Sequence, residues 1–197
     1  IALHSGDAGS VEINGTALRI QSAGTYILSG RCADGSVEVE KNVSGVTLVL
    51  SGLDLTSTST TPITCGKGSG VTIVAAQGTE NALADSTTNN DDSFPENETA
   101  ENAVIKCKDG SAVTLCGTGA LSITVNGKNG IKSGASVEGS GDASLTIREI
   151  TLNISACSSS GDGFDSNGTL TISGGTVIVW TVSTADNQPL DADGEIS

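Results

Sequence analysis

Asp165-Ser-Asn-Gly168 returns 26 residues later as Asp191-Ala-Asp-Gly194. Any structure that stacks the two copies puts Asp165 beside Asp191 and Asn167 beside Asp193, with Asp162 adding a further carboxylate. Carboxylates one strand spacing apart, about 5 Å, repel unless something neutralises them. A donor set made only of carboxylate, amide and carbonyl oxygens suits Ca2+ rather than zinc or copper. Asp162, Asp165, Asn167, Asp191 and Asp193 are therefore candidate calcium ligands. The competing reading is that Lys132, one repeat upstream in the same column, pairs with Asp165 while the other acids face water.

Aligning the same repeats sets Cys65 beside Cys107 in an inward column of small residues that continues through Ser133, Ser166 and Ala192. Neighbouring strands bring two such cysteines within disulfide range, and a stack of unoxidised thiols fits the same positions. Five cysteines (Cys32, Cys65, Cys107, Cys116 and Cys157) form no CxxC pair and no His/Cys metal spacing, and their odd number leaves at least one unpaired within the chain. Catalysis finds few parts. The single histidine, His4, lies near the beginning of the sequence, and no GxSxG elbow or phosphate loop occurs. A lyase would need Lys132 or Arg148 as its base, and neither stands out, so the chain reads as a non-enzyme.

The elements that must position these residues announce themselves by repetition. Pro62-Ile-Thr-Cys-Gly-Lys-Gly-Ser-Gly-Val-Thr-Ile73 recurs 42 residues on as Val104-Ile-Lys-Cys-Lys-Asp-Gly-Ser-Ala-Val-Thr-Leu115. A shorter aliphatic-Thr-aliphatic echo appears at Thr47, Thr72, Thr114, Thr146 and Thr171. Units this small cannot bury their own apolar faces and must stack. First strands beginning near Val37, Ile63, Val104, Ile131, Phe164 and Leu190 imply a period near 26 residues. Short alternating segments such as Val46-Thr-Leu-Val-Leu50, separated by Asn-Gly turns, predict strands and almost no helix. The expected fold is an all-β, right-handed parallel β-helix, a solenoid of about six coils with three faces per turn. An immunoglobulin-like sandwich has no reason to keep the period. β-Propensity and cross-strand pairing account for the threonine ladder.

One domain over 1–197 is expected, with 1–35 as an N-terminal coil or cap and 84–101 as an acidic insertion. That insertion, ADSTTNNDDSFPENETAE, holds six carboxylates and no basic residue. It reads either as a cation-ordered flap or as a solvated excursion. Nine basic against 23 acidic residues give a net charge of −14, which excludes nucleic acid and anionic membrane as electrostatic partners. No apolar run is long enough for membrane insertion. A start at Ile1 without a signal-like segment reads as a mature or excerpted chain.

Ser22-Ala-Gly-Thr-Tyr-Ile-Leu-Ser-Gly30, Val46-Thr-Leu-Val-Leu-Ser-Gly-Leu-Asp-Leu55, Gly78-Thr-Glu-Asn-Ala-Leu83 and Gly161-Asp-Gly-Phe-Asp-Ser-Asn-Gly-Thr-Leu-Thr-Ile-Ser-Gly-Gly175 occur in that order. Together they resemble the bacterial carbohydrate-binding β-helix proteins of cellulolytic clostridia and gut Firmicutes. The resemblance implies a secreted or cell-surface, pectate-lyase-like right-handed parallel β-helix with bound calcium, affinity for plant polysaccharides and no established catalysis. The family's calcium motif maps onto Asp162, Asp165, Asn167, Asp191 and Asp193; Lys132 stands where relatives carry an acid. Two Phe, one Tyr and one Trp are few for a sugar-stacking platform, so an acidic polysaccharide bridged by calcium is the expected partner. The sequence also stops at Gly194-Glu-Ile-Ser197, within a coil. An open edge invites pairing, and the alternative function is a structural subunit that polymerises head to tail into an extracellular filament.

Overall fold

The computed structural model describes residues 8–138, 142–156, 161–182 and 187–197. Cys157 and His4 lie outside them. Among the described residues, eighteen short strands form two sheets. The first runs, in spatial order, β1 (Val11–Asn14), β2 (Ala17–Ile20), β4 (Ser36–Val39), β6 (Ile63–Cys65), β9 (Ala103–Cys107), β12 (Asn129–Ser133), β15 (Phe164–Ser166) and β18 (Leu190–Ala192). The second runs β16 (Thr169–Ile172), β13 (Ser144–Ile147), β10 (Ala112–Cys116), β7 (Gly70–Ala75), β5 (Val46–Thr56), β8 (Glu80–Ala84), β11 (Ala120–Val125), β14 (Ile150–Ala156) and β17 (Gly175–Thr181), with β3 (Gly24–Cys32) also paired to β5. Among the described residues the helical content is one 3-10 turn, Ala8–Ser10.

The expectation of an all-β chain with parallel, in-register stacking holds, but the right-handed parallel β-helix of six three-faced coils does not. Strands gather into two sheets rather than three faces. The first sheet is mixed, because β1 and β2 form an antiparallel hairpin across the Asn14-Gly15 turn, where Gly15 takes φ +60. In the second, β5 pairs with β3, β7 and β8 and so merges two stacks into one sheet. The physical cause is length. β5 runs eleven residues, continuing through Gly52 at φ +74, a position where the repeat calls for a corner. Asn81 holds that passage: its Oδ1 accepts the Gly52 and Leu53 amides at 3.0 and 2.9 Å, and its Nδ2 donates to the Ala120 carbonyl at 3.1 Å.

Where strands stack, registry follows the side chains. Val37, Ile63, Ile105, Ile131, Phe164 and Leu190 are successive partners, which corrects the third first-strand position from Val104 to Ile105. A slip of one residue would turn every outward group inward, and the buried alternation prevents it. The core is a set of such aliphatic columns, continuous from Leu18 to Leu170. Each fully buried Val, Ile or Leu contributes roughly 1.5–3 kcal/mol.

One defect is repeated. Ser69 and Ser111, adjacent in the stack and 2% and 1% exposed, have hydroxyls without a hydrogen-bond partner. Burying an unpaired hydroxyl costs roughly 1–3 kcal/mol. Ser69→Ala and Ser111→Ala are therefore expected to leave the urea midpoint unchanged or raise it, whereas a lowered midpoint would mean that these hydroxyls are satisfied in solution.

Candidate functional site

The expected columns are present. Outward from the first sheet stand Thr64, Lys106, Lys132, Asp165 and Asp191, one per strand from β6 to β18. The same column continues at the other end through Glu38, Arg19 and Glu12, a stretch the repeat alignment missed. The alternation in Leu18-Arg-Ile20 and Val37-Glu-Val39 was its only signal. Arg19 pairs with Glu38 at 3.3 Å and with Glu40 at 3.6 Å. The inward neighbours Cys65, Cys107, Ser133, Ser166 and Ala192 stack as expected.

Asp165 is the most tightly held acid of the column. Its Oδ2 accepts hydrogen bonds from the Lys132 ammonium and from Asn129 Nδ2 at 2.9 Å. Asn129, 1% exposed, also accepts the Asp162 amide through Oδ1 at 2.9 Å. It thereby ties the loop before β15 to the head of β12. That loop is closely packed: a Cβ on Gly161 would lie 1.5 Å from the Lys128 carbonyl oxygen, and one on Gly163 would lie 2.2 Å from a Val179 methyl. Asp162 stands between these two glycines, and its Oδ1 accepts the Gln188 amide at 2.7 Å. Burial raises the Asp162 pKa; the Gln188 bond opposes the rise, and the Asp165 and Asp191 charges add to it. Two strands from Asp165, burial, then the like charge of Lys132, depresses the Lys106 pKa, against the pull of Glu101 and Asp165.

The five expected calcium donors do not form one centre. Asp162, Asp165 and Asp191 share a neighbourhood, but Asp165 already has a cation in Lys132. Asn167 and Asp193 lie one residue beyond the paired strands, both exposed. Their amides donate to the Ser133 and Ser166 carbonyls. Among the described residues no group of three or more His, Cys, Asp or Glu side chains is placed to hold a metal ion. Cys65 and Cys107 do meet, as buried free thiols rather than a bridge. The Cys65 thiol donates to the Cys107 sulfur, and this bond, followed by burial, raises the Cys65 pKa well above its ordinary value.

Buried polar residues anchor the insertion near its start, while positions 91–99 are largely exposed. Asp85, 2% exposed, accepts the Asn126 and Gly127 amides at 2.7 and 3.1 Å and Asn89 Nδ2 at 2.9 Å. Asn89 Oδ1 in turn accepts the Glu101 and Asn102 amides. Lys108 reaches Glu101 at 2.6 Å, and Lys128 pairs with Asp92. The chain's own lysines thus order the loop that walls the column. Composition could not reveal this, because the lysines come from later repeats.

The stacked sheets and the loop that flanks them fit what comparison finds. The model of the family described as carbohydrate-binding domain-containing protein matches residues 14–194. The chain belongs to that family. A carbohydrate-binding domain-containing protein of Acetivibrio thermocellus is 31% identical over 137 residues, which are 68% of this chain and 44% of that relative. This family member therefore spans less than half the length of the curated relative it matches. In fold it is similar to the polysaccharide lyase-like protein from C. thermocellum, solved as a gadolinium derivative, with a TM-score of 0.61, 22% identity, and coverage of 97% of this chain and 90% of that one. Among its described residues no helix is long and apolar enough to cross a membrane.

Proposed function

We propose that this chain is a non-catalytic polysaccharide-binding module that works outside the cell or at its surface. The observation that carries the reading is membership of a carbohydrate-binding family over residues 14–194. The architecture supports it, because in-register parallel strands present long outward columns at the strand spacing, which suits an extended polymer better than a small molecule. The charged column of the first sheet is a poor place for catalysis: Lys132, its natural base, spends its ammonium on Asp165.

The same ion pair bears on calcium. Lys132 supplies to Asp165 the countercharge that a cation was expected to supply, so polysaccharide binding is proposed to proceed without Ca2+. The filament alternative has in its favour the outer edges of end strands such as β1, β17 and β18, which any open sheet leaves. The test is retention of the purified chain on insoluble cellulose and on pectin, each with and without EGTA. Retention on at least one polymer, equal in both conditions, is expected. Loss of retention in EGTA would return calcium to the site, and no retention on any glycan would overturn the reading.

A further inference from the structure

The second sheet carries a surface unlike the rest of the molecule. Trp180, the chain's single tryptophan, projects outward from β17 and is 59% exposed; Ile178, two residues before it, is 57% exposed. Both are costly to leave in water, and both face away from the core, whose side of β17 is taken by Val177 and Val179. Across the strands, Trp180 is in register with Ser155, and Ser155 with Thr124. Ile178 is in register with Asn153, and Asn153 with Ser122. These pairings run without a register shift over seven residue pairs between β14 and β17 and six between β11 and β14. The result is a level carpet of hydroxyl and amide side chains that ends on an exposed indole and an isoleucine.

Its charge is the second observation. No outward residue of β11, β14 or β17 is ionisable, although the chain holds 23 acidic residues and a net charge of −14. The charges lie at the margin: Glu80, in register with Ala120, Asp54, which Arg31 pairs at 3.3 Å, and Arg148 and Glu149, just before β14. A polyanion would meet the net charge of the whole molecule and find no cation here. A neutral polymer meets neither obstacle.

We propose that an uncharged polysaccharide lies across β11, β14 and β17, perpendicular to the strands, with one sugar ring stacked on Trp180. This deepens the binding reading above and rests on it. The strand spacing of roughly 4.8 Å is close to the length of one sugar residue in an extended glycan, so successive rings meet successive strands. The apolar face of one pyranose packs on the indole, while hydroxyls of the rings that follow exchange hydrogen bonds with the side-chain amide of Asn153 and with Thr124, one and two strands away.

Because Trp180 is the only tryptophan, its fluorescence reports the contact directly. Titration with cellohexaose or xylohexaose is expected to shift the emission to the blue and to protect it from acrylamide. Oligogalacturonate is expected to do neither. Trp180→Ala is expected to weaken retention on the neutral polymer roughly tenfold or more. Thr124→Arg, placed in the middle of the carpet at an exposed position, is expected to do the same with an unchanged melting temperature. If the wild-type chain binds a glycan while Trp180 emission does not move and both variants bind normally, the site is overturned and the binding reading stands. If the wild-type chain binds no glycan, both fall. Burial of Trp180 that grows with protein concentration, without sugar, would overturn the proposal in favour of a second copy on this face.

Discussion

Asp85→Ala is expected to lower the unfolding free energy by about 3 kcal/mol or more, because it strips acceptors from two backbone amides and one side-chain amide. Those donors are Asn126 N, Gly127 N and Asn89 Nδ2, gathered on a carboxylate whose residue is 2% exposed. The loss should be measured by urea unfolding followed by circular dichroism. Limited proteolysis should show cleavage in 84–101 well before global unfolding, since the insertion hangs on this carboxylate and on Asn89. Asp85→Asn keeps one acceptor and is expected to cost less. Equal stability of the alanine variant and the wild type would show that the clasp contributes nothing.

The pH dependence at this residue has the opposite sign from an ordinary paired acid. Burial raises the Asp85 pKa above 3.8, and the bonds from Asn126, Asn89 and Gly127 only moderate it. Between 3.8 and the raised value the native chain keeps a proton that the unfolded chain has released. Stability from this group is therefore full below 3.8 and declines as pH rises through the folded pKa. Asp162, shifted in the same direction, adds to the decline. Removing the Asp85 carboxyl should flatten this part of the stability profile even as it lowers the whole curve.

Phe164→Ala is expected to cost about 3–5 kcal/mol, the range for emptying a fully buried aromatic position. Phe164 is the largest fully buried side chain of the core and is 0% exposed. It is seated between its register partners Ile131 and Leu190. The cavity cannot close easily, since the flanking backbone at Gly163 is already packed against Val179 and the Pro189 carbonyl. Since Phe164 immediately precedes Asp165, the variant should also loosen the Lys132–Asp165 pair. Thermal melts of Phe164→Ala and Phe164→Leu, with the smaller loss for leucine, distinguish packing from a general intolerance of substitution.

Neither prediction was legible to the same degree in the sequence. The repeat alone gives Phe164 its place at the head of a first strand, and it sets out the Cys65-to-Ala192 column and the Lys132-to-Asp191 column beside it. Asp85 has no such place: it reads as one more acid in a polar insertion, because its partners Asn126 and Gly127 lie about 41 residues downstream. The pairing of Lys132 with Asp165 was visible as one of two alternatives. Repeat alignment counts donors but does not reveal which of them a lysine already occupies.

Alternation and period by themselves determined that the chain is all-β, that its strands stack in parallel register, and which residue types share a column. All three follow from local geometry, since successive side chains on a strand point to opposite faces and equivalent repeats must superpose their buried halves. Only the tertiary structure decided how those strands are grouped. Whether β5 bends at Gly52 or runs on depends on Asn81, twenty-nine residues away, accepting the Gly52 amide. In the same way Asn129, Lys132 and Asp165 become one network only when their strands lie side by side. The exposed Trp180 face follows the same rule: composition counts one tryptophan, and only the assembled sheet shows the uncharged surface on which it stands.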